Sequence, residues 1–145
     1  NEPKTDIVHL LQYAKTPIGS IMSTEYVTAY ADATVSDALR HIKHEADEFS
    51  QLQYLYVLNR DDKLVGVVGL HHLWAQDSDT QLFKFMRQNL VLARLTTPNE
   101  IAIKKMIKYH LGALPVVDEH RHILGIVSLQ DVAEVVLEKE WNREL

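Results

Sequence analysis

Ser128 and Asp131 stand three residues apart where the apolar run ILGIV gives way to SLQDVAEVV, a stretch with helical spacing. A serine followed three positions later by an acid can open a helix as a capping box: the hydroxyl accepts a backbone N–H and the carboxylate returns the bond. The same two groups suit a ligand. A hydroxyl donates to a phosphate or sugar oxygen, a carboxylate offers two acceptors to paired hydroxyls, and a helix start favours phosphate. On the residues alone both readings stand. Upstream, Gly112, Ala113 and Leu114 lead into Pro115, which restricts the backbone before it and reads as a tight approach to a buried strand.

Other chemistry is thinner. His41 with His44, His71 with His72, and His120 with His122 have chelating spacing. No His-Glu-x-x-His motif or Cys/His framework accompanies them, so they read as solvated turn and helix-surface groups. Glu45, Asp47, Glu48, Asp77 and Asp79 supply the oxygen ligands a hard cation such as magnesium prefers, and are the candidate metal contacts. As scattered acids they serve equally as plain surface. Ser128 has no evident general base, and no phosphate loop, dinucleotide fingerprint or nucleophile elbow occurs. The residues therefore point to a non-catalytic protein.

The bulk composition narrows the partners. A formal charge of −5, with no Lys/Arg run longer than two residues, argues against a nucleic-acid surface. With no cysteine, disulfides and thiolate metal sites are excluded. Apolar runs such as LVGVVGL are too short to cross a bilayer. The chain opens on Asn1 rather than methionine, which reads as a processed chain or an excised domain.

The elements that must position Ser128 and Asp131 occur twice. LVGVVGLHHLWAQD repeats as ILGIVSLQDVAEVV, with Gly66 and Gly125 59 positions apart. IMSTEYVTAYADATVSDALRHI resembles FMRQNLVLARLTTPNEIAIKKMI, with Met22 and Met86 64 apart, so the first repeat holds about five extra residues, best placed in HEADEFSQLQ. Each repeat reads strand, helix, strand, strand, helix. YVTAY and LVLARL are the first strands. Thr34 with Asp37, and Thr97 with Pro98 and Glu100, open the following helices. Ala38, Leu39 and Ile42 form one apolar helix face, and Ile103, Met106 and Ile107 the other. YLYVLNRDDKLVGVVGL and ALPVVDEHRHILGIVSL are hairpins, the second turning over Asp118–His122. The expected fold is α/β (α+β in stricter schemes), two β-α-β-β-α repeats packed as a pseudo-symmetric pair with small mixed sheets. The segments run 1–17 helical lead-in, 18–76 first repeat, 77–82 linker, 83–137 second repeat and 138–145 helical tail. The linker, free of glycine and proline, reads as ordered. Trp74, Leu82, Phe83, Phe85 and Trp141 are candidates to cover open helical faces or to meet a partner.

GALPVVDEHRHILGIVSLQDV and YLYVLNRDDKLVGVVGLHHLW resemble the paired motifs of a tandem CBS-domain pair, or Bateman module, over 18–136. LLQYAKTPIGSIMSTEYVTAYADATVSDAL is similar to the entry into the cytosolic CBS region of MgtE-type magnesium transporters. The resemblance implies a regulatory module that binds an adenine nucleotide (AMP, ADP or ATP) between its repeats, with magnesium as a second candidate ligand. Ser128 and Asp131 would contact phosphate and ribose, while Gly112, Ala113, Leu114, Pro115 and Leu92 would form an adenine slot; Val91 and Ala93 would lie near it, though as core strand residues first. It further implies a cytoplasmic homodimer, at the inner face of a membrane where a transporter domain is attached, with no membrane insertion of this segment and no nucleic acid bound. A structural or dimerisation module with an empty pocket is the alternative. The first repeat departs from the ligand pattern: Gly69 replaces Ser128 and His72 replaces Asp131.

Overall fold

β-branched and aromatic residues in short alternating runs build the first sheet. The computed structural model describes residues 21–45 and 52–134; the lead-in over 1–17, the tail over 138–145, Asp47, Glu48 and Trp141 lie outside them. β1 (Val27–Tyr30) pairs parallel with β2 (Tyr54–Leu58), which pairs antiparallel with β3 (Leu64–Gly69). Parallel neighbours need a crossover, and α1 (Val35–Glu45) supplies it. Its start is a complete capping box. Thr34 Oγ1 accepts the Asp37 N–H at 3.1 Å, and Asp37 Oδ2 accepts the Thr34 N–H at 3.3 Å.

The linker is tied down, as its lack of glycine and proline suggests. Val35 and Ser36 N–H donate to the carbonyls of Thr80 and Ser78, and Leu82 N–H donates to Ala33 O. Leu82 is fully buried in the first-repeat core, so it cannot meet a partner. Phe85 packs partly against that core, whereas Trp74 and Phe83 stay exposed. The β2–β3 turn is organised by Asn59, whose Oδ1 accepts the N–H groups of Asp61 and Lys63. α2 (Leu70–Leu73) follows β3.

The second repeat gives α3 (Asn99–Lys108), then β4 (Ala113–Val117) hydrogen-bonded to β5 (Ile123–Ser128), then α4 over residues 129–134. The short connection makes β4 and β5 an antiparallel hairpin. Three sequence expectations change here. The strand expected over LVLARL shrinks to one bridge: Ala93 N–H donates to Pro115 O and Ala93 O accepts from Val117 N–H, parallel to Val116. The next rung of a parallel ladder would need an N–H on residue 115, which proline lacks. Second, Thr97 does not cap α3. Its hydroxyl turns back to the Arg94 N–H at 2.8 Å, and Pro98 holds the N-cap position. Third, Ile107 is 61% exposed. The buried face of α3 centres on Ala102 and Met106, and residue 107 sits about 100° round from 106 in the last turn.

Two compact units result. One gathers the described parts of Thr24–Leu90 with Glu119–Ile123, the other 21–23, Val91–Asp118 and 124–134. The short segments before each first strand are exchanged. Ser23 bridges Ile126 of the second repeat, and Arg87 bridges Val67 of the first. The unit cores are Val27, Val35, Ala38, Leu55, Val57 and Val68 in one, and Ala93, Ala102, Met106, Leu114, Val116 and Val127 in the other.

Candidate functional site

Alternation along each strand sorts the second-repeat residues onto two faces of their sheet. Ala93, Leu114, Val116 and Val127 lie in the core with Ala102 and Met106 of α3 and Val132 of α4. Leu92, Ala113, Pro115 and Ser128 therefore belong to the opposite face. Ala113 and Pro115 are buried, while Leu92, Gly112 and Ser128 are half-buried. Leu114 is fully buried within the core, so only its backbone is placed to meet a ligand. Val91 and Ala93 likewise serve the core.

Gly112 and Ser128 are neighbours at the open end of the hairpin. Leu129 N–H donates to Gly112 O at 2.8 Å, which joins the residue before β4 to the residue after β5. Ser128 then caps α4, its Oγ accepting the Asp131 N–H at 3.0 Å. The returning half of the box does not form. Among the described residues the Asp131 carboxylate accepts no bond from Ser128 N–H, and its side chain is exposed. Asp37 shows the contrast: hydrogen bonds from the Thr34 backbone N–H and side chain lower its carboxyl pKa from the ordinary value. One acid completes a cap, and the other is left exposed, one turn along from the hydroxyl that caps its helix.

Lys105 is a contact that sequence reasoning missed. From the half-buried side of α3 its Nζ donates to Leu92 O at 2.8 Å. This fixes the backbone beside the apolar face from a position thirteen residues on, with no local motif to announce it. The metal candidates do not gather. Asp77 and Asp79 are exposed in the linker turn and Glu45 ends α1. Among the described residues no three histidine or acid side chains form a group able to hold a metal ion. The His71 and His72 rings lie 4.0 Å apart and both residues are exposed.

The first repeat carries the same frame with different contents. Leu70 N–H donates to Gln53 O at 3.1 Å, matching the Leu129–Gly112 bond. Gly69 caps α2 without any side-chain bond. The Ser128–Asp131 pair has no counterpart there.

The CBS-domain family model matches residues 18–73 and 82–138. The magnesium transporter MgtE of Enterococcus faecalis is 32% identical over 136 residues, which is 94% of this chain and 30% of that protein. The chain thus spans about a third of the length of this relative. The solved cytosolic domain of the magnesium channel MgtE in complex with ATP superposes with a TM-score of 0.80 at 31% identity, over 92% of this chain and 55% of that one. A CBS-domain pair solved with 5′-methylthioadenosine and S-adenosyl-L-methionine superposes with a TM-score of 0.70 at 26% identity, over 86% and 98%.

Proposed function

The chain belongs to the CBS-domain family, and on that footing we propose that it is a non-catalytic regulatory module binding an adenine nucleotide at Ser128 and Asp131. The observation that carries the reading is the exposed Asp131 carboxylate, left out of the α4 cap while Ser128 Oγ takes the Asp131 N–H. In this role Asp131 accepts from the ribose hydroxyls, and the Ser128 hydroxyl proton remains available to a phosphate oxygen. Gly112 allows close approach, and Ala113, Pro115 and Leu92 offer a small apolar face to the base. Backbone groups of Gly112–Leu114 read its edge. The MgtE cytosolic domain solved in complex with ATP, and the CBS-domain pair solved with 5′-methylthioadenosine and S-adenosyl-L-methionine, support the ligand class.

The output is a shift of population. A nucleotide that favours one conformation of the module changes the state of an attached partner by its differential affinity. The MgtE relatives make a magnesium-transport domain the partner we propose, with the module on the cytosolic side and magnesium as transported ion rather than a ligand of Asp77, Asp79 or Glu45. Among the described residues no helix is long and apolar enough to cross a membrane. We propose a homodimer through the outer face of α3, where Ile101 and Ile107 are exposed; light scattering at micromolar concentration is expected to return twice the chain mass.

Calorimetric titration with AMP, ADP and ATP tests the reading. One adenine nucleotide per chain is the expected result. No heat and no thermal stabilisation with any of the three would leave the module as a dimerisation element alone.

A further inference from the structure

The two repeats share a backbone frame whose equivalences are fixed by hydrogen bonds as well as by spacing. Ala29 pairs with Val57 as Ala93 pairs with Val116, and Leu70 bonds Gln53 as Leu129 bonds Gly112. In this frame Tyr54 stands where Ala113 stands, Tyr56 where Pro115 stands, and Tyr26 where Leu90 stands. Leu55 and Val57 point into the helix-side core, so Tyr54 and Tyr56 belong to the opposite face, the one that carries Leu92, Ala113, Pro115 and Ser128 in the second repeat.

Those three rings form a cluster. The Tyr26 ring meets Tyr56 edge-on with centroids 6.5 Å apart, and Tyr54 lies 6.3 Å from Tyr56. Tyr56 is only 2% exposed. Its hydroxyl is buried with no hydrogen-bond partner among the described residues, so the ring is held there by packing rather than by its polar end. Where the second repeat has an alanine and a proline, the first has two large aromatic side chains.

We propose that Tyr56, backed by Tyr54 and Tyr26, occupies in the first repeat the space the second repeat leaves for a base. The first slot is closed by the chain's own side chains. Tyr56 is then a stoichiometry-determining residue: it limits the chain to one base slot even though the fold repeats. This deepens the nucleotide reading and rests on it for the meaning of the second-repeat slot. The loss of Ser128 and Asp131 equivalents at Gly69 and His72 is a separate difference, so a base can be used as probe without ribose or phosphate.

The test is adenine rescue of a truncated ring. Tyr56→Ala, Tyr54→Ala and the control Val57→Ala, which empties space on the helix side of the same strand, are melted with increasing adenine and compared with the unmodified chain. Adenine is expected to raise the melting temperature of Tyr56→Ala more than that of the unmodified chain or Val57→Ala, in a concentration-dependent way. Where Tyr56→Ala does not fold, Tyr56→Leu and Tyr54→Ala carry the comparison with the same expectation. Shifts no larger than that of the unmodified chain in every folded tyrosine variant overturn the proposal, as does binding of two ATP per unmodified chain. Failure of the unmodified chain to bind any nucleotide would instead count against the nucleotide reading, which the adenine comparison does not use.

Discussion

Met22 lies over Gly125 so closely that a methyl group on residue 125 would fall 2.9 Å from Met22 Sδ and 2.8 Å from the Ser23 carbonyl oxygen. The strand pairing explains the approach: Ser23 and Ile126 exchange backbone hydrogen bonds at 2.7 and 2.8 Å, which draws the 22–23 backbone across β5. Gly66 meets the Met86 side chain in the same way in the first repeat, but with no backbone atom among its nearest neighbours.

The two glycines therefore respond differently to the same change. Gly125→Ala is expected to cost about 1–3 kcal/mol, as overpacking does, and Met22→Ala should not restore it because the obstructing carbonyl remains. Gly66→Ala presses on a flexible thioether, so the added cost should be smaller, and Met86→Ala should relieve part of it. Urea unfolding of the four single variants and two doubles measures both couplings.

Much of this frame is legible in the sequence. The 59- and 64-residue spacings pair Val67 with Ile126 and Arg87 with Ser23, and the bridges join just these residues. What they cannot give is the exchange, Ser23 on the second sheet and Arg87 on the first. A two-residue segment joins whichever edge tertiary packing offers, and a strand glycine signals close approach without naming the visitor. Pro115 carries a readable sign that the LVLARL ladder stops, since a missing N–H removes a rung. For the candidate site, the Ser128–Asp131 spacing identifies the pair. Which half of the capping box forms depends on carboxylate geometry that spacing does not specify. The tyrosine cluster is hidden because period-two alternation marks YLYVL as a buried strand whatever fills its second face.

Removing the Tyr56 hydroxyl should help the fold. A buried hydroxyl without a partner costs on the order of 1–3 kcal/mol, so Tyr56→Phe is expected to raise unfolding stability by about 1 kcal/mol. Burial pushes this phenol well above its usual pKa, consistent with a group that stays neutral. A loss of more than about 1 kcal/mol in denaturant unfolding would mean that the hydroxyl is bonded.

Two turns give opposite pH signatures. The Thr34 hydrogen bonds lower the Asp37 pKa from its ordinary 3.8, so their stabilisation is complete above the unfolded value and is lost as pH falls through the folded one. Tyr30 donates to Asp62 Oδ1 at 2.8 Å, and that bond and charge raise its pKa from 10.0. Its contribution is complete below the unfolded value and is lost as pH rises through the folded one. Melting scans should show Thr34→Ala less acid-sensitive than the unmodified chain, and Asp62→Ala less alkali-sensitive. Unchanged slopes in the variants would contradict both assignments.

The central claim is that the second-repeat carboxylate, not its first-repeat counterpart, holds the nucleotide. Calorimetric titration of ATP into Asp131→Ala and His72→Ala, each checked for an unchanged far-ultraviolet spectrum and cooperative melt, tests it most directly. Loss of a charged acceptor to the ribose hydroxyls should weaken Asp131→Ala by roughly 2 kcal/mol, about thirtyfold in Kd, while His72→Ala should bind as the unmodified chain does. A folded Asp131→Ala that binds ATP as tightly as the unmodified chain would contradict the account.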